Sequence, residues 1–294
     1  MVQTATISGV PIVKIGHGLM SMTSVPESPS DEQCFESIIA GIKAAPPGVK
    51  VFLNAAERTF LSVKGTATVS EHGFAWDSSP AGLGRSINNI IEKLGPNKKL
   101  DLFEPARVDP KVPIEETMAV LNEYATLERA SKVGKVAAVE IEVSFWSYEE
   151  ETRKVILKAA EIGAVVAAYS PLGQGVLTGN LNPAQLHKDD YRKHYPRFQE
   201  EAFENNMKLV DALKIIAEKK SITPAQLCLA WVSSLGPHVV PIPSSTRAAR
   251  TLENVSAASI ELSKQDLEEI KGAIEAHPVS GDRYGKEIMK TVWG

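Results

Sequence analysis

Along almost the whole chain, short runs of Val, Ile and Leu take turns with longer stretches whose apolar residues recur at helical spacing. That repeated switch of period marks a chain that interleaves strands with helices, and it predicts an α/β fold. Strands are expected at Ile12–His17, Val49–Ala55, Phe60–Val63, Leu100–Glu104, Val136–Ser144, Val165–Ser170 and Val239–Pro243. Most are rich in β-branched residues, as suits parallel strands buried on both faces. Val139–Phe145 differs, because Glu alternates with apolar residues there and gives the strand one polar face. Helices are expected from the cap at Ser30 and Asp31 to about Ala44, then at Pro80–Leu94 between Ser79 and Gly95, where side-chain caps, a first-turn proline and a closing glycine agree. Further helices are expected at Ile114–Ala125, Glu149–Ile162, Asn205–Lys219, Pro224–Ser234, Thr246–Ala257 and Lys264–Glu275, with Thr223 and Ser263 as caps. The polar stretch Leu181–Phe203 reads as a long loop.

Composition narrows the class. The 294 residues carry a net charge of −4 and are 43% hydrophobic, which suits a globular chain read as a single domain, residues 1–294. Mild acidity argues against a nucleic-acid partner. No run approaches the length of a membrane span, and the first residues lack a secretory leader's basic start and apolar core. Cys34 and Cys228 are too few for a disulfide framework, so a reducing, cytoplasmic setting is expected. The histidines show no metal-ligand spacing, and no metal is expected.

Two places break the alternation. The strand ending near Ala55 meets the one starting near Phe60 after only about five residues, and a parallel crossover needs a dozen or more. Between Leu121 and Lys135 a helical stretch runs directly into the Val136 strand, where a helix–strand–helix unit was due. Both look like places where elements are missing.

Several segments together resemble the aldo-keto reductase superfamily, most closely its fungal pyridoxal reductase branch: IGHGLMSMT (15–23), FLNAAE (52–57), LSVKG (61–65), LDLFEPARVDPKVPIEET (100–117), AYSPLGQGVLTG (168–179), PIPSSTRAARTLENVSA (241–257) and HPVSGDRY (277–284). They run in the family's order over most of the chain. The resemblance implies a TIM-type (β/α)8 barrel, here incomplete or irregular around strands two to three and five, as two internal deletions would leave it. About seven parallel strands are then expected.

The resemblance also implies chemistry: a carbonyl reduced by hydride from NADPH, a tyrosine as proton donor, and a lysine, an aspartate and a histidine around it. A carbonyl oxygen gains negative charge as hydride arrives, so it needs a placed donor. Lys64 in SVKG matches the lysine, Asn54 takes the aspartate's place and Ala106 the histidine's. The family's NAGEFYG is here Asn54-Ala55-Ala56-Glu57-Arg58-Thr59-Phe60, so the tyrosine is missing and Glu57 is the substitute acid nearest in sequence. A lysine after a strand, or a loop glutamate, is otherwise an ordinary solvated charge.

For the cofactor, the resemblance assigns Ser245, Thr246 and Arg250 to the 2′-phosphate of NADPH, and Glu253 and Asn254 to the adenine side. Hydroxyls and a guanidinium near a helix start suit a phosphate dianion. Tyr169 is placed to stack on nicotinamide, Ser170, Leu172, Gly173 and Gln174 along the pyrophosphate, and Glu140 where relatives carry a glutamine for the carboxamide. The expected function is NADPH-dependent reduction of a small-molecule aldehyde, as in pyridoxal reductase. The missing tyrosine keeps two alternatives open: a non-catalytic paralogue that binds nucleotide or a partner, and a truncated gene model of an active reductase. Sequence leaves the oligomeric state undetermined.

Overall fold

A computed structural model describes residues 2–23, 26–52, 59–70, 73–128 and 136–289. In chain order its strands are β1 Thr4–Ile7, β2 Val10–Val13, β3 Val51–Phe52, β4 Thr59–Phe60, β5 Ser62–Gly65, β6 Ala67–Ser70, β7 Gly73–Trp76, β8 Leu102–Pro105, β9 Ala138–Glu142, β10 Val165–Tyr169 and β11 Val239–Pro241. Its α-helices are α1 Met20–Thr23, α2 Asp31–Ala44, α3 Pro80–Leu94, α4 Ile114–Glu128, α5 Glu150–Ile162, α6 Glu200–Lys219, α7 Pro224–Ser234, α8 Ala248–Ser256, α9 Lys264–Ala276 and α10 Lys286–Met289. The chain divides into two compact units: Met1–Leu53 with Ala137–Gly285, and Asn54–Val136 with Lys286–Gly294.

The first unit is organised by parallel pairing. β10 lies between β9 and β11, parallel to both, with Val166 opposite Val139 on one side and Val239 on the other. Residues 12–18 extend the array beyond β11: the Gly16 amide donates to Pro241 and the Gly18 amide to Pro243, both at 2.9 Å. On their far side Ile12 bridges Lys50 in parallel, and the His17 amide donates to Phe52. Five strand segments therefore run in one direction, β3, 12–18, β11, β10 and β9. Glycine is required at 16 and 18, where a Cβ would stand 2.8 Å from Ile242 Cγ2 and from the Ile242 carbonyl oxygen respectively. Val13, Ile15, Val51, Leu229, Val255 and Ala257 form a continuous core cluster. α7 is buried on nearly every side, from Ala225 to Ser233, and each fully buried Leu in it contributes roughly 1.5–3 kcal/mol.

An antiparallel hairpin of β1 and β2 precedes this array. The strand expected from Ile12 thus begins earlier, at Val10, and has a partner. Ser8 and Gly9 both have positive φ, 48° and 81°, the backbone a two-residue hairpin turn needs. α6 likewise starts at Glu200 rather than Asn205, with Glu200 and Glu201 in its first turn, where acidic groups meet the helix's positive end. The stretch read as a loop before it is built from short 3₁₀ turns at Pro183–Gln185, Tyr191–His194 and Pro196–Phe198. Asp190 ties one of them, accepting from Arg192 Nε at 2.9 Å and Nη2 at 2.7 Å.

In the second unit β5 and β8 are parallel, with α3 in the connection between them. That connection also holds the antiparallel pair β6 and β7, which the sequence pattern did not signal. Ser79 caps α3 as expected, its Oγ accepting from the Gly82 amide at 3.1 Å, and Leu83 and Ile87 are the helix's buried apolar residues. The expected break between Ala55 and Phe60 falls on residues 53–58, outside the described residues. α4 runs on to Glu128, and the second expected break falls on 129–135, also outside them.

Candidate active site

The cofactor residues expected from sequence all lie in the first unit, most of them at the C-terminal ends of its parallel strands, the edge where open and barrel α/β sheets carry their chemistry. Tyr169 is the last residue of β10, half-buried, and stands in register opposite Glu142 of β9. The chain then turns sharply. Ser170, Gly173, Gln174 and Gly175 have φ of 49°, 55°, 56° and 99°, and within this left-handed turn the Gly173 amide donates to the Ser170 carbonyl at 2.9 Å and the Gly175 amide to the Leu172 carbonyl at 3.0 Å. A Cβ at Gly173 would stand 2.9 Å from Leu177. Arg192 donates to the Gln174 carbonyl oxygen at 2.9 Å, while the Gln174 side-chain oxygen is buried with no hydrogen-bond partner.

The neighbouring strand end carries Ser244–Arg247. Ser245 is buried, and its hydroxyl donates to the Arg247 carbonyl at 3.0 Å and accepts from the Arg247 amide at 3.2 Å, which locks the turn into α8. Ser37 of α2 donates to the Ser245 carbonyl at 3.1 Å, and Gln33 donates to the Thr246 hydroxyl at 3.2 Å. Arg250 is exposed on α8 and pairs with no carboxylate among the described residues. Asn254 is buried on the same helix. Glu253 accepts from the hydroxyl of Thr223, the residue that caps α7, at 2.6 Å, so part of its capacity is already spent on holding two helices together. Behind this turn His17 is buried with its Nε2 unpartnered. Burial lowers its pKa to about 4, against a smaller opposing contribution from the Ser245 backbone, and the ring is therefore neutral near pH 7.

Glu140 is half-buried within β9, opposite Ala167. Two residues on, Glu142 projects to the same side, as alternate strand residues do. The polar face expected of this strand exists, yet at Glu142 it meets protein rather than water: Glu142 is buried, and accepts from Ser147 Oγ at 2.9 Å and from the Tyr284 hydroxyl at 2.5 Å. Sequence reading did not single out Tyr284 and its neighbour Arg283 as site residues, although both lie in HPVSGDRY, one of the segments that carry the family resemblance. Arg283 pairs with Glu149 and donates to Thr152 Oγ1 at 3.1 Å. Burial raises the Glu149 pKa and the Arg283 hydrogen bond and charge lower it, with the lowering prevailing.

Of the expected catalytic residues, Lys64 lies in the second unit, exposed on β5 and in register with Glu104 of β8. Glu104 is buried and accepts from Ser62 Oγ at 2.5 Å. The next residue, Gly65, is a close-approach position, since a Cβ there would lie 2.3 Å from Ser86 Oγ. Asn54 and Glu57 lie outside the described residues. Among the described residues, no group of His, Cys, Asp and Glu could hold a metal ion, and no helix is long and apolar enough to cross a membrane.

Residues 42–275 match the aldo/keto reductase family, and the chain belongs to that family. It is 29% identical to a probable pyridoxal reductase 2 of Schizosaccharomyces pombe, over 97% of this chain and 98% of that one. That alignment spans 333 positions against the 294 residues here, so the yeast relative carries residues that this chain lacks. The chain is also 35% identical to aldo-keto reductase str7 of Strobilurus tenacellus, over 67% of this chain and 64% of that one. Among solved structures it resembles the glycerol dehydrogenase of Gluconobacter oxydans, with a TM-score of 0.80 at 18% identity over 95% and 97% of the two chains. It also resembles an aldo-keto reductase from Klebsiella pneumoniae in complex with NADPH, with a TM-score of 0.61 at 18% identity over 96% and 98%. The fold class is therefore the TIM-type α/β barrel of these enzymes, in the irregular form expected from sequence.

Proposed function

We propose that the chain reduces a small-molecule aldehyde with NADPH, in the manner of a pyridoxal reductase, and does so slowly. The observation that carries this reading is the pairing of two loops at adjacent strand ends: the turn Ser245–Arg247 leading into α8, and the left-handed turn after Tyr169. The donor set suits a dinucleotide phosphate. It offers an exposed guanidinium with no carboxylate partner among the described residues and a hydroxyl at a helix start. Arg250 and Thr246 would hold the 2′-phosphate, the turn 170–174 the pyrophosphate, and Tyr169 would present its ring to the nicotinamide. NADPH, when bound, supplies the hydride.

Lys64 would meet the charge that develops on the substrate oxygen, directly or through water. No tyrosine stands near it in sequence, and the usual tuned phenol is what this chain lacks. The test is a fluorescence titration with NADPH and NADH, on the chain and on Arg250→Ala. Loss of one charge-assisted contact is worth about 1.5–3 kcal/mol, so NADPH binding should weaken about tenfold or more while NADH changes little. Equal weakening of both would make Arg250 structural. The missing tyrosine also favours a second reading, nucleotide binding without turnover. NADPH binding with no oxidation in the presence of pyridoxal would decide for it.

A further inference from the structure

We propose that Tyr284 is a positioning residue for Tyr169, holding the strand-end ring in one orientation through a hydroxyl chain that ends on the buried carboxylate of Glu142. This deepens the function proposed above and rests on it for what the Tyr169 ring meets. The Tyr169 and Tyr284 hydroxyls are 3.4 Å apart, at the long end of hydrogen-bond reach, and Tyr284 donates to Glu142 Oε2 at 2.5 Å. A phenol has one proton to give. With that of Tyr284 committed to Glu142, the Tyr169 proton points at the Tyr284 oxygen, and the chain has a single direction.

The far end of the chain is anchored. Glu142 Oε1 accepts from Ser147, whose oxygen accepts from Arg197 Nη1 at 2.9 Å. Arg197 Nε reaches back to the Gly281 carbonyl at 3.0 Å, and Arg283 is held by Glu149 and Thr152. The segment leading into Tyr284 is thus fastened at Gly281 and at Arg283. The Tyr195 ring meets that of Tyr284 edge-on at 5.2 Å and closes one more direction of movement. Burial, and after it the charge of Glu142, raises the Tyr284 pKa, so this phenol stays protonated and a donor near neutral pH. A ring tethered before a ligand arrives loses less rotational freedom on binding than a free one.

The experiment compares two ligands on the full chain by calorimetric titration. NADPH spans both loops, whereas adenosine 2′,5′-bisphosphate carries the phosphate end and no nicotinamide. Tyr284→Phe removes one hydroxyl and keeps the ring. It should weaken NADPH about 3- to 5-fold, the worth of one modest hydrogen bond, and leave adenosine 2′,5′-bisphosphate within twofold. Tyr169→Phe should give the same pattern, and the double variant no more loss than either single one. Should Tyr284→Phe fail to fold, Tyr169→Phe carries the same comparison, because it leaves Tyr284 and Glu142 paired. Equal weakening of both ligands, or of neither, would overturn the positioning role. Failure of the unaltered chain to bind either ligand would overturn the proposed site, and the inference with it.

Discussion

The two compact units of this chain differ in how their strands are held and in what their strand ends carry. In the first, five parallel segments lie side by side, and β10 is flanked on both edges. Its loops, 142–147, 169–175 and 242–247, are short, and side chains fix them: Ser147, Arg192 and Ser245 each bond across or within a turn. In the second, the parallel pair β5 and β8 is joined through a hairpin and α3, and Lys64 projects exposed from it. The residues expected to bind cofactor sit on the first frame, and Lys64 on the second. Removing strand–helix units from the second unit leaves these loops intact, because the bonds that fix them run within the first. Chemistry that needs groups from several strand ends is what such a loss takes away.

The largest effect should follow from restoring what the second unit lacks. Inserting the NAGEFYG-bearing loop of a complete relative in place of residues 54–60 should raise pyridoxal turnover by about 10²–10⁴-fold, the usual worth of a placed general acid. In the unaltered chain Lys64→Met should lower the residual rate by about tenfold or more. Turnover already equal to that of intact relatives, with no response to Lys64→Met, would mean that another residue supplies the acid and that Lys64 is an ordinary surface charge.

The next contrast concerns ion pairs. Arg283 and Arg197 are 4% and 7% exposed, and both reach Glu149. Glu149→Ala leaves two buried guanidinium groups without their shared carboxylate. It should cost about 3 kcal/mol, the low end for breaking a buried pair, because Glu149 is itself half-exposed. The second unit's Arg85–Asp77 pair is open to solvent on both sides, and Arg85→Ala should cost at most about 1 kcal/mol. Urea unfolding of the two variants checks the difference. Equal costs would mean that the first unit's network is no better buried in solution than a surface pair.

Local signals in the sequence located most elements, and long-range ones did not. Ser30, Ser79, Thr223 and Ser263 cap the helices they were expected to start, since a cap is decided by residues three apart. The fully apolar β10 and β11 could be read for the same reason. β6 and β7 were missed because four-residue strands are too short to establish a period, and β1 because Ser8-Gly9 was not read as a hairpin turn. The turns after β10 and β11 were legible through AYSPLGQG and IPSST, whose glycines and serines suit the tight backbone found there. Tyr284 was not legible as a site residue, because its partner Glu142 lies 142 residues away and nothing local links them.

A smaller effect should appear with pH. His17 is neutral in the fold, with its pKa lowered to about 4, whereas in the unfolded chain it takes the ordinary value of 6.5. Between those values the unfolded chain binds a proton that the folded chain does not. The His17 contribution to stability is therefore constant above about pH 6.5 and is lost as pH falls toward 4, at up to about 1.4 kcal/mol per pH unit. His17→Gln should remove that slope. If the slope survives the substitution, the titrating group lies elsewhere, and the burial of His17 is not what couples the first unit to pH.

The smallest effect asks whether the two units differ in local helix chemistry at all. Thr223 caps α7 in the first unit, accepting from the Gln226 amide at 3.1 Å while Gln226 Oε1 accepts from the Thr223 amide at 2.9 Å. Ser79 caps α3 in the second, accepting from Gly82 at 3.1 Å and donating to Asp77 Oδ1 at 2.5 Å. Both caps satisfy a helix amide through a hydroxyl at the same distance, and each also has a second polar partner. Thr223→Ala and Ser79→Ala should therefore each cost about 1 kcal/mol, within about 0.5 kcal/mol of one another, when midpoints are measured in urea. α7 is buried on nearly all sides and α3 only along one face, but a cap acts at the helix end and does not sample that difference. A Ser79→Ala cost several times that of Thr223→Ala would show that the second unit, with only two strands in its parallel sheet, depends on α3 far more than a single βαβ crossover should. The difference between the units would then begin at the helix end, before any strand is paired.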